Sequence, residues 1–178
     1  MKAEIIGRRT EYERAWLSVE AKDVRVGDAE SQTWYSVRTH DYAAVLAVVE
    51  DGRIPLVRQF RPAIECRSLE LPSGLVEPGE APADAIAREL LEETGCEAGP
   101  LELLGRFDLD SGRMQTAQWA FLAPRARVVA PGPTGEEPDL EVLFVEPEEL
   151  RELVRTGEFR MAGHLALLAA AVVRGLMP

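Results

Sequence analysis

The sequence has little cysteine, a deficit of basic charge and no long apolar run. Two cysteines in 178 residues, Cys66 and Cys96, cannot form a disulfide framework and show no C-x-x-C spacing for a metal cluster. They fit buried thiols in a reducing compartment. The longest apolar tract, Met161–Val173, contains His164 and falls short of the roughly 20 residues a membrane-spanning helix needs. The N-terminus brings Lys2, Glu4, Arg8 and Arg9 without an apolar run, so no signal peptide is expected and the expected location is cytoplasmic. Twenty Lys and Arg stand against 31 Asp and Glu, a net charge of -11. Nucleic acid, which needs a basic surface to displace counterions, is disfavoured as a partner.

What is present is ordinary globular material, 46% hydrophobic and 29% charged, long enough for one domain with a small appendage. The charge is uneven. Residues 1–70 hold 11 basic and 12 acidic groups, and residues 71–178 hold 9 and 19. A dense acidic half has two readings, a solvated surface or a site for divalent cations, which carboxylate oxygens bind well. Spacing has to decide between them.

Trp16–Val19 and Trp34–Val37 read as strands, with a turn at Val26-Gly27-Asp28. Ala43–Val49 is a continuous apolar run that suits a buried strand. Asp51-Gly52 turns it into Ile54–Val57, the pattern of a hairpin. Gly and Pro crowd residues 72–82, a loop. Pro82–Thr94 is the clearest helix, with proline in its first turn and Gly95 just past its end. Leu101–Leu104, Gln118–Leu122 and Leu140–Val145 suit strands, and Trp119 and Phe121 alternate as packing residues would. Residues 131–139 suit an exposed loop. Pro147–Arg155, closed by Gly157, and Met161–Arg174, closed by Gly175, suit helices. Strands mixed with helices predict an α/β sandwich. His164, in an apolar helical run, reads as a core or interface histidine, and His40 as a strand-end residue. Trp16 and Trp34 read as core anchors or as platforms for a nucleobase.

At ~100° per residue, Glu89, Glu92 and Glu93 share an arc of about 100° on the Pro82–Thr94 helix. Ala83, Ile86, Ala87, Leu90 and Thr94 form the neighbouring apolar face. One side is therefore anchored while the other presents three carboxylates. Arg88 can offset their repulsion by pairing with Glu92 four residues on, or by orienting a neighbour. From the helix alone a solvated face is the plainer reading. The preceding loop changes the balance: Gly74 and Gly79 bracket Leu75–Pro78, and Glu80 follows. Two or three helix carboxylates with one loop carbonyl leave open positions on a Mg²⁺ ion for water or phosphate oxygens.

Residues 74–96 closely resemble the Nudix box, G-x5-E-x7-R-E-U-x-E-E-x-G-U, with U aliphatic. Gly74, Glu80, Arg88-Glu89-Leu90-Leu91-Glu92-Glu93 and Gly95 occupy its positions, and Cys96 stands in the last U position. Leu56–Pro62 and Glu70-Leu71-Pro72-Ser73-Gly74 resemble the segments before the box in the ADP-ribose and nucleotide-sugar pyrophosphatases. A proline common past the box in that branch is missing, with Asp110–Arg113 in its place.

The resemblance implies a Nudix fold, an α/β/α sandwich with a mixed sheet and an N-terminal antiparallel strand extension. It implies an extension over residues 1–40, serving dimerisation, and a hydrolase domain over 41–178. The implied activity is Mg²⁺-dependent hydrolysis of the diphosphate of ADP-ribose or another nucleotide sugar, with Mn²⁺ as a substitute ion. The implied partner is that small molecule, in a homodimer, with no nucleic acid or membrane. Glu89 and Glu93 match the metal-binding glutamates, with Glu92 and the Ser73 carbonyl as further ligands. Arg88 matches the arginine that orients a box glutamate. Arg61 matches a substrate-contacting arginine, with Glu70, Arg58, Arg113 and Trp34 as further candidates. The water-activating group is expected from Glu136 or Glu137, or from Glu92; the first two equally suit a disordered acidic loop. Two other functions stay open: a nucleoside-triphosphate hydrolase, disfavoured by Arg58–Arg61 and Glu70–Pro72, and a non-catalytic nucleotide sensor, disfavoured by the intact box.

Overall fold

The structure is a computed structural model and describes residues 2–133 and 139–177. The chain divides into two units: the segment to Asp41 with Asp108–Ala117, and Tyr42–Phe107 with Gln118 onward.

The first unit is built on an antiparallel sheet. Strand β1 (Ala3–Arg14) pairs with β2 (Leu17–Val26), which pairs with β3 (Gln32–Thr39). The turn at Gly27 is as expected, with φ +59°, a conformation glycine adopts without strain. Strand β1 was not foreseen. Nearly all of it is exposed, and register shifts after Ile5 and Thr10 disturb its alternation. Trp16 and Trp34 are 63% and 56% exposed, so neither anchors a core in this chain.

The second unit holds two sheets and three helices. Strands β4 (Tyr42–Val49), β5 (Ile54–Arg61), β6 (Cys66–Glu70) and β7 (Ser73–Leu75) precede helix α1 (Pro82–Thr94). Then come β8 (Cys96–Glu97), β9 (Glu102–Asp108), β10 (Ala117–Val128) and β11 (Glu141–Val145), followed by α2 (Pro147–Thr156) and α3 (Ala162–Val173). One sheet runs β7-β4-β10-β8, with β9 also paired to β10; the other runs β11-β5-β6. β4 is parallel to β10 and antiparallel to β7, so the sheet is mixed. The expected hairpin between β4 and β5 does not form a shared ladder. The reversal itself closes, with Gly52 N–H donating to the Val49 carbonyl at 2.8 Å and Val49 N–H to the Arg53 carbonyl at 2.9 Å, and beyond it β5 pairs with β6 and β11.

β4 shows why the run Ala43–Val49 is apolar throughout. Ala43, Val45, Ala47 and Val49 join Ile86 and Leu90 of α1, with Phe121 and Cys96, in one core. Ala44 and Leu46 face the other way, into a core with Leu150 of α2 and Leu167, Leu168 and Ala171 of α3. A central strand covered on both faces has no polar side. Helices on both sides of a mixed sheet make the α/β/α sandwich. Glycines close the first two helices in the left-handed conformation, Gly95 at φ +71° and Gly157 at φ +79°. Both cysteines are free thiols; Cys96 is buried and Cys66 half-buried. No helix among the described residues is long and apolar enough to cross a membrane.

Candidate active site

The site is built where β7 runs against α1. The Gly- and Pro-rich stretch expected as a loop begins with the short strand β7, whose Ser73 and Gly74 register against Ala44 and Ala43. Sheet pairing leaves Gly74 on the helix side with no room for a side chain. A Cβ there would fall 2.0 Å from Glu89 Cδ and 2.1 Å from Oε1. Glu89 thus lies directly over the bend. Ser73 N–H donates to Glu93 Oε2 at 2.9 Å, tying the bend to the next turn of the same helix. Glu93 is only 8% exposed, a carboxylate held in a nearly dry position.

Arg88 organises the remaining acids. Its Nη1 donates to Glu89 at 2.8 Å and to Glu92 at 3.2 Å. Its Nε and Nη2 donate to the two oxygens of Glu80 at 3.2 and 3.3 Å. Hydrogen bonds to Glu80 and Glu89 raise the guanidinium pKa against the opposing effect of burial. The Arg88 bonds and the Glu77 N–H in turn hold the Glu80 carboxyl below its usual range. One arginine therefore bridges three of the four box glutamates, which accounts for a like-charged cluster on one helix.

Arg61 and Glu70 form a second element. Nε and Nη2 of Arg61 reach the two Glu70 oxygens at 2.9 and 2.6 Å, a bidentate pair. Glu70 is 2% exposed. Burial pushes its pKa up, but the hydrogen bonds and charge of Arg61 outweigh that and hold it low. Tyr42 lies nearby; burial, then the Glu70 charge, push its hydroxyl up to about 12.

The remaining predicted residues have other partners, belong to the other unit or fall outside the described residues. Arg58 is three residues before Arg61 on β5 and pairs with Glu141 at 3.4 Å. It lines a separate cavity of about 300 Å³ with Arg67, Leu69, Gly157, Glu158 and Arg160. Trp34 and Arg113 belong to the other unit, where Arg113 pairs with Asp110 at 2.8 Å. Glu136 and Glu137 lie outside the described residues. Asp139, which follows them, accepts from Phe60 N–H at 2.9 Å and from Arg67 at 2.8 Å. The reading from sequence missed that anchor, and it missed the buried link between Leu71 and His164; neither has a local pattern.

No cluster of three or more His, Cys, Asp or Glu side chains poised to hold a metal ion occurs among the described residues. Here Glu89 and Glu92 turn to Arg88, and Glu93 to the Ser73 N–H. The donor chemistry nevertheless fits a hard cation: carboxylate oxygens on successive turns beside a main-chain bend kept free of side chain at Gly74.

The chain belongs to the NUDIX domain family, whose sequence model matches residues 38–168. It is 32% identical over 143 residues to the ADP-ribose pyrophosphatase of Bacillus subtilis (strain 168), covering 80% of this chain and 77% of that protein. It is 31% identical over 172 residues to the ADP-ribose pyrophosphatase of Mycobacterium tuberculosis (strain ATCC 25618 / H37Rv), covering 93% and 83%. The fold superposes with a TM-score of 0.81 on the crystal structure of an ADP compounds hydrolase, at 22% identity over 99% of this chain and 97% of that one. The members of this family generally need a divalent metal ion, and this chain is a hydrolase of that kind.

Proposed function

We propose that this protein hydrolyses the diphosphate linkage of ADP-ribose or a related nucleotide sugar, with Mg²⁺ as the resident ion and Mn²⁺ as a substitute. The observation that carries the reading is the close fit of Glu89 and Glu93 against the Ser73–Gly74 bend. The activities named for the relatives support the substrate class. Glu89, Glu93 and the Ser73 carbonyl would hold the ion, with Glu92 as a further ligand. When bound, Mg²⁺ neutralises phosphate charge, lowers the pKa of a water and stabilises the leaving oxygen.

The chain's own residues do the rest. Arg88 keeps Glu89 and Glu92 oriented. Arg61, set by its buried partner Glu70, contacts the phosphates. A carboxylate of Glu136, Glu137 or Glu92 takes the proton as water attacks phosphorus. The bridging P–O bond breaks, giving a nucleoside monophosphate and a sugar phosphate. Arg58, Arg61 and Arg113 each already hold a carboxylate, Glu141, Glu70 and Asp110, and Arg61 is assigned to the phosphates because it matches the family's substrate-contacting arginine.

The exposed apolar residues of the first unit, Ile5, Ile6, Trp16, Trp34 and Tyr35, support assembly as a homodimer, with Trp34 able to stack on a base. The expected setting is the cytoplasm. The test is a panel of ADP-ribose, other ADP-sugars, GDP-sugars and dGTP with Mg²⁺, coupled to a phosphatase that frees phosphate from the products. Turnover of a nucleotide sugar is the expected result. Turnover of dGTP alone would point to triphosphate hydrolysis, and none at all would point to a sensor.

A further inference from the structure

The chain carrying the bend leaves one sheet and enters the other within two residues. Glu70 ends β6, in register with Val57 of β5, and Ser73 opens β7, in register with Ala44 of β4. Leu71 and Pro72 lie between, in neither strand. Pro72 has no N–H, and its carbonyl accepts from Val45 N–H at 3.0 Å. Leu71 is wholly buried, and its N–H would lack a partner without a side chain to receive it. That side chain is His164 of α3, whose Nδ1 accepts the Leu71 N–H at 3.0 Å.

His164 is wholly buried, and its Nε2 has no hydrogen-bond partner among the described residues. Acceptance at Nδ1 places the proton of the neutral ring on Nε2. An unpaired buried donor costs stability, and leucine or phenylalanine would avoid it. The rest of α3 is small or aliphatic, so the histidine is not explained by its own helix. Its platform is also fixed. The Gly163 carbonyl accepts from Gln118 Nε2 at 3.0 Å, and Tyr42 Oη donates to Gln118 Oε1 at 2.8 Å. A Cβ at Gly163 would fall 2.0 Å from Gln118 Oε1, so α3 meets the sheet here at closest approach.

We propose that His164 is a positioning residue for the metal-binding bend: by accepting the Leu71 N–H it fixes the crossover, so that Glu70 faces Arg61 and the Ser73 main chain stays against Glu93. The role rests on the metal-site reading above. It joins α3 to the site through a side chain that touches neither metal nor substrate.

The test compares His164→Leu, which removes the acceptor, with His164→Asn, whose Oδ1 replaces Nδ1. Two readouts are taken on the full chain well below its unfolding temperature: hydrogen exchange of the Leu71 amide, and Mn²⁺ binding by electron paramagnetic resonance. His164→Leu should speed Leu71 exchange and weaken Mn²⁺ binding about tenfold, the lower end for loss of an outer partner of a metal site. His164→Asn should restore both to within about threefold of wild type. Wild-type Mn²⁺ binding in His164→Leu, or equal losses in the Leu and Asn variants, would overturn the proposal. Should His164→Leu fail to fold, His164→Gln takes its place, because its amide reaches the Nε2 position; equal behaviour of Gln and Asn would then overturn it. Glu93→Gln separates the two layers. Loss of Mn²⁺ there with retention in His164→Leu rejects only the role of His164. Retention in both rejects the metal site as well.

Discussion

Ser73 and Glu93, twenty residues apart, are joined by a 2.9 Å hydrogen bond from the Ser73 N–H to the Glu93 carboxylate. That bond sets the bend beside the second turn of the acidic ridge. Replacing Glu93 or Glu89 with Gln keeps a polar group of the same size and removes the charge. Each variant should fold as wild type while turnover of ADP-ribose falls roughly a hundredfold or more, the scale of losing a metal ligand. Steady-state kinetics with circular dichroism would check this, and wild-type rates in either variant would refute the metal role.

Gly74 offers a sharper geometric test. The atoms a Cβ would strike are the far end of the flexible Glu89 side chain, 2.0–2.3 Å away. Gly74→Ala should therefore displace Glu89 and leave the sheet intact. Turnover should drop by at least about tenfold, with a melting temperature within a few degrees of wild type. A large loss of stability with normal residual kinetics would contradict this.

Arg61→Ala leaves Glu70 buried without its bidentate partner. Losing one side of a buried pair costs about 3–5 kcal/mol. Arg61 is partly exposed, so water tempers the loss to roughly 2–3 kcal/mol. Arg61→Lys keeps the charge but not the fork, and should recover only part of it. Urea unfolding of the three proteins measures the order. The folded Glu70 pKa is depressed, so its stabilising contribution is present above the ordinary carboxylate range and fades as pH falls through the folded value.

Burial lowers the His164 pKa to about 4; the Glu70 charge opposes the shift and that of Arg61 adds to it. Above pH 6.5 the histidine is neutral folded or unfolded. As pH falls towards 4, only the unfolded chain gains its proton, so stability declines by up to about 1.4 kcal/mol per pH unit. His164→Leu should remove that slope between pH 6.5 and about 4, leaving the Glu70 contribution at lower pH. Chemical unfolding across the range tests it; an unchanged slope would show that His164 does not titrate as its surroundings require.

The acidic ridge was legible because its information is local. Pro82 and Gly95 mark the helix ends, and the spacing of Glu89, Glu92 and Glu93 places them on one arc. Helix α1 has the predicted bounds. The α/β/α layering was legible too, from one apolar strand and two late helices. Other features depend on distant partners. β1 has no clean alternation, being exposed almost throughout, and owes its form to pairing with β2. β7 is hidden among Gly and Pro because three residues suffice to pair with β4. The expected β4–β5 reversal is there, closed by two hydrogen bonds at Val49, but the strands part beyond it, because a turn signal fixes a reversal and not which strands share a long ladder. The Leu71–His164 bond spans 93 positions and follows no period.

The most direct test is a crystal structure of the protein with Mg²⁺ and a methylene-bridged analogue of ADP-ribose. The metal should lie between Glu89, Glu93 and the Ser73 carbonyl, with the analogue's phosphates bound to it and to Arg61. Density for the analogue in another cavity, with no metal at the ridge, would contradict the assignment.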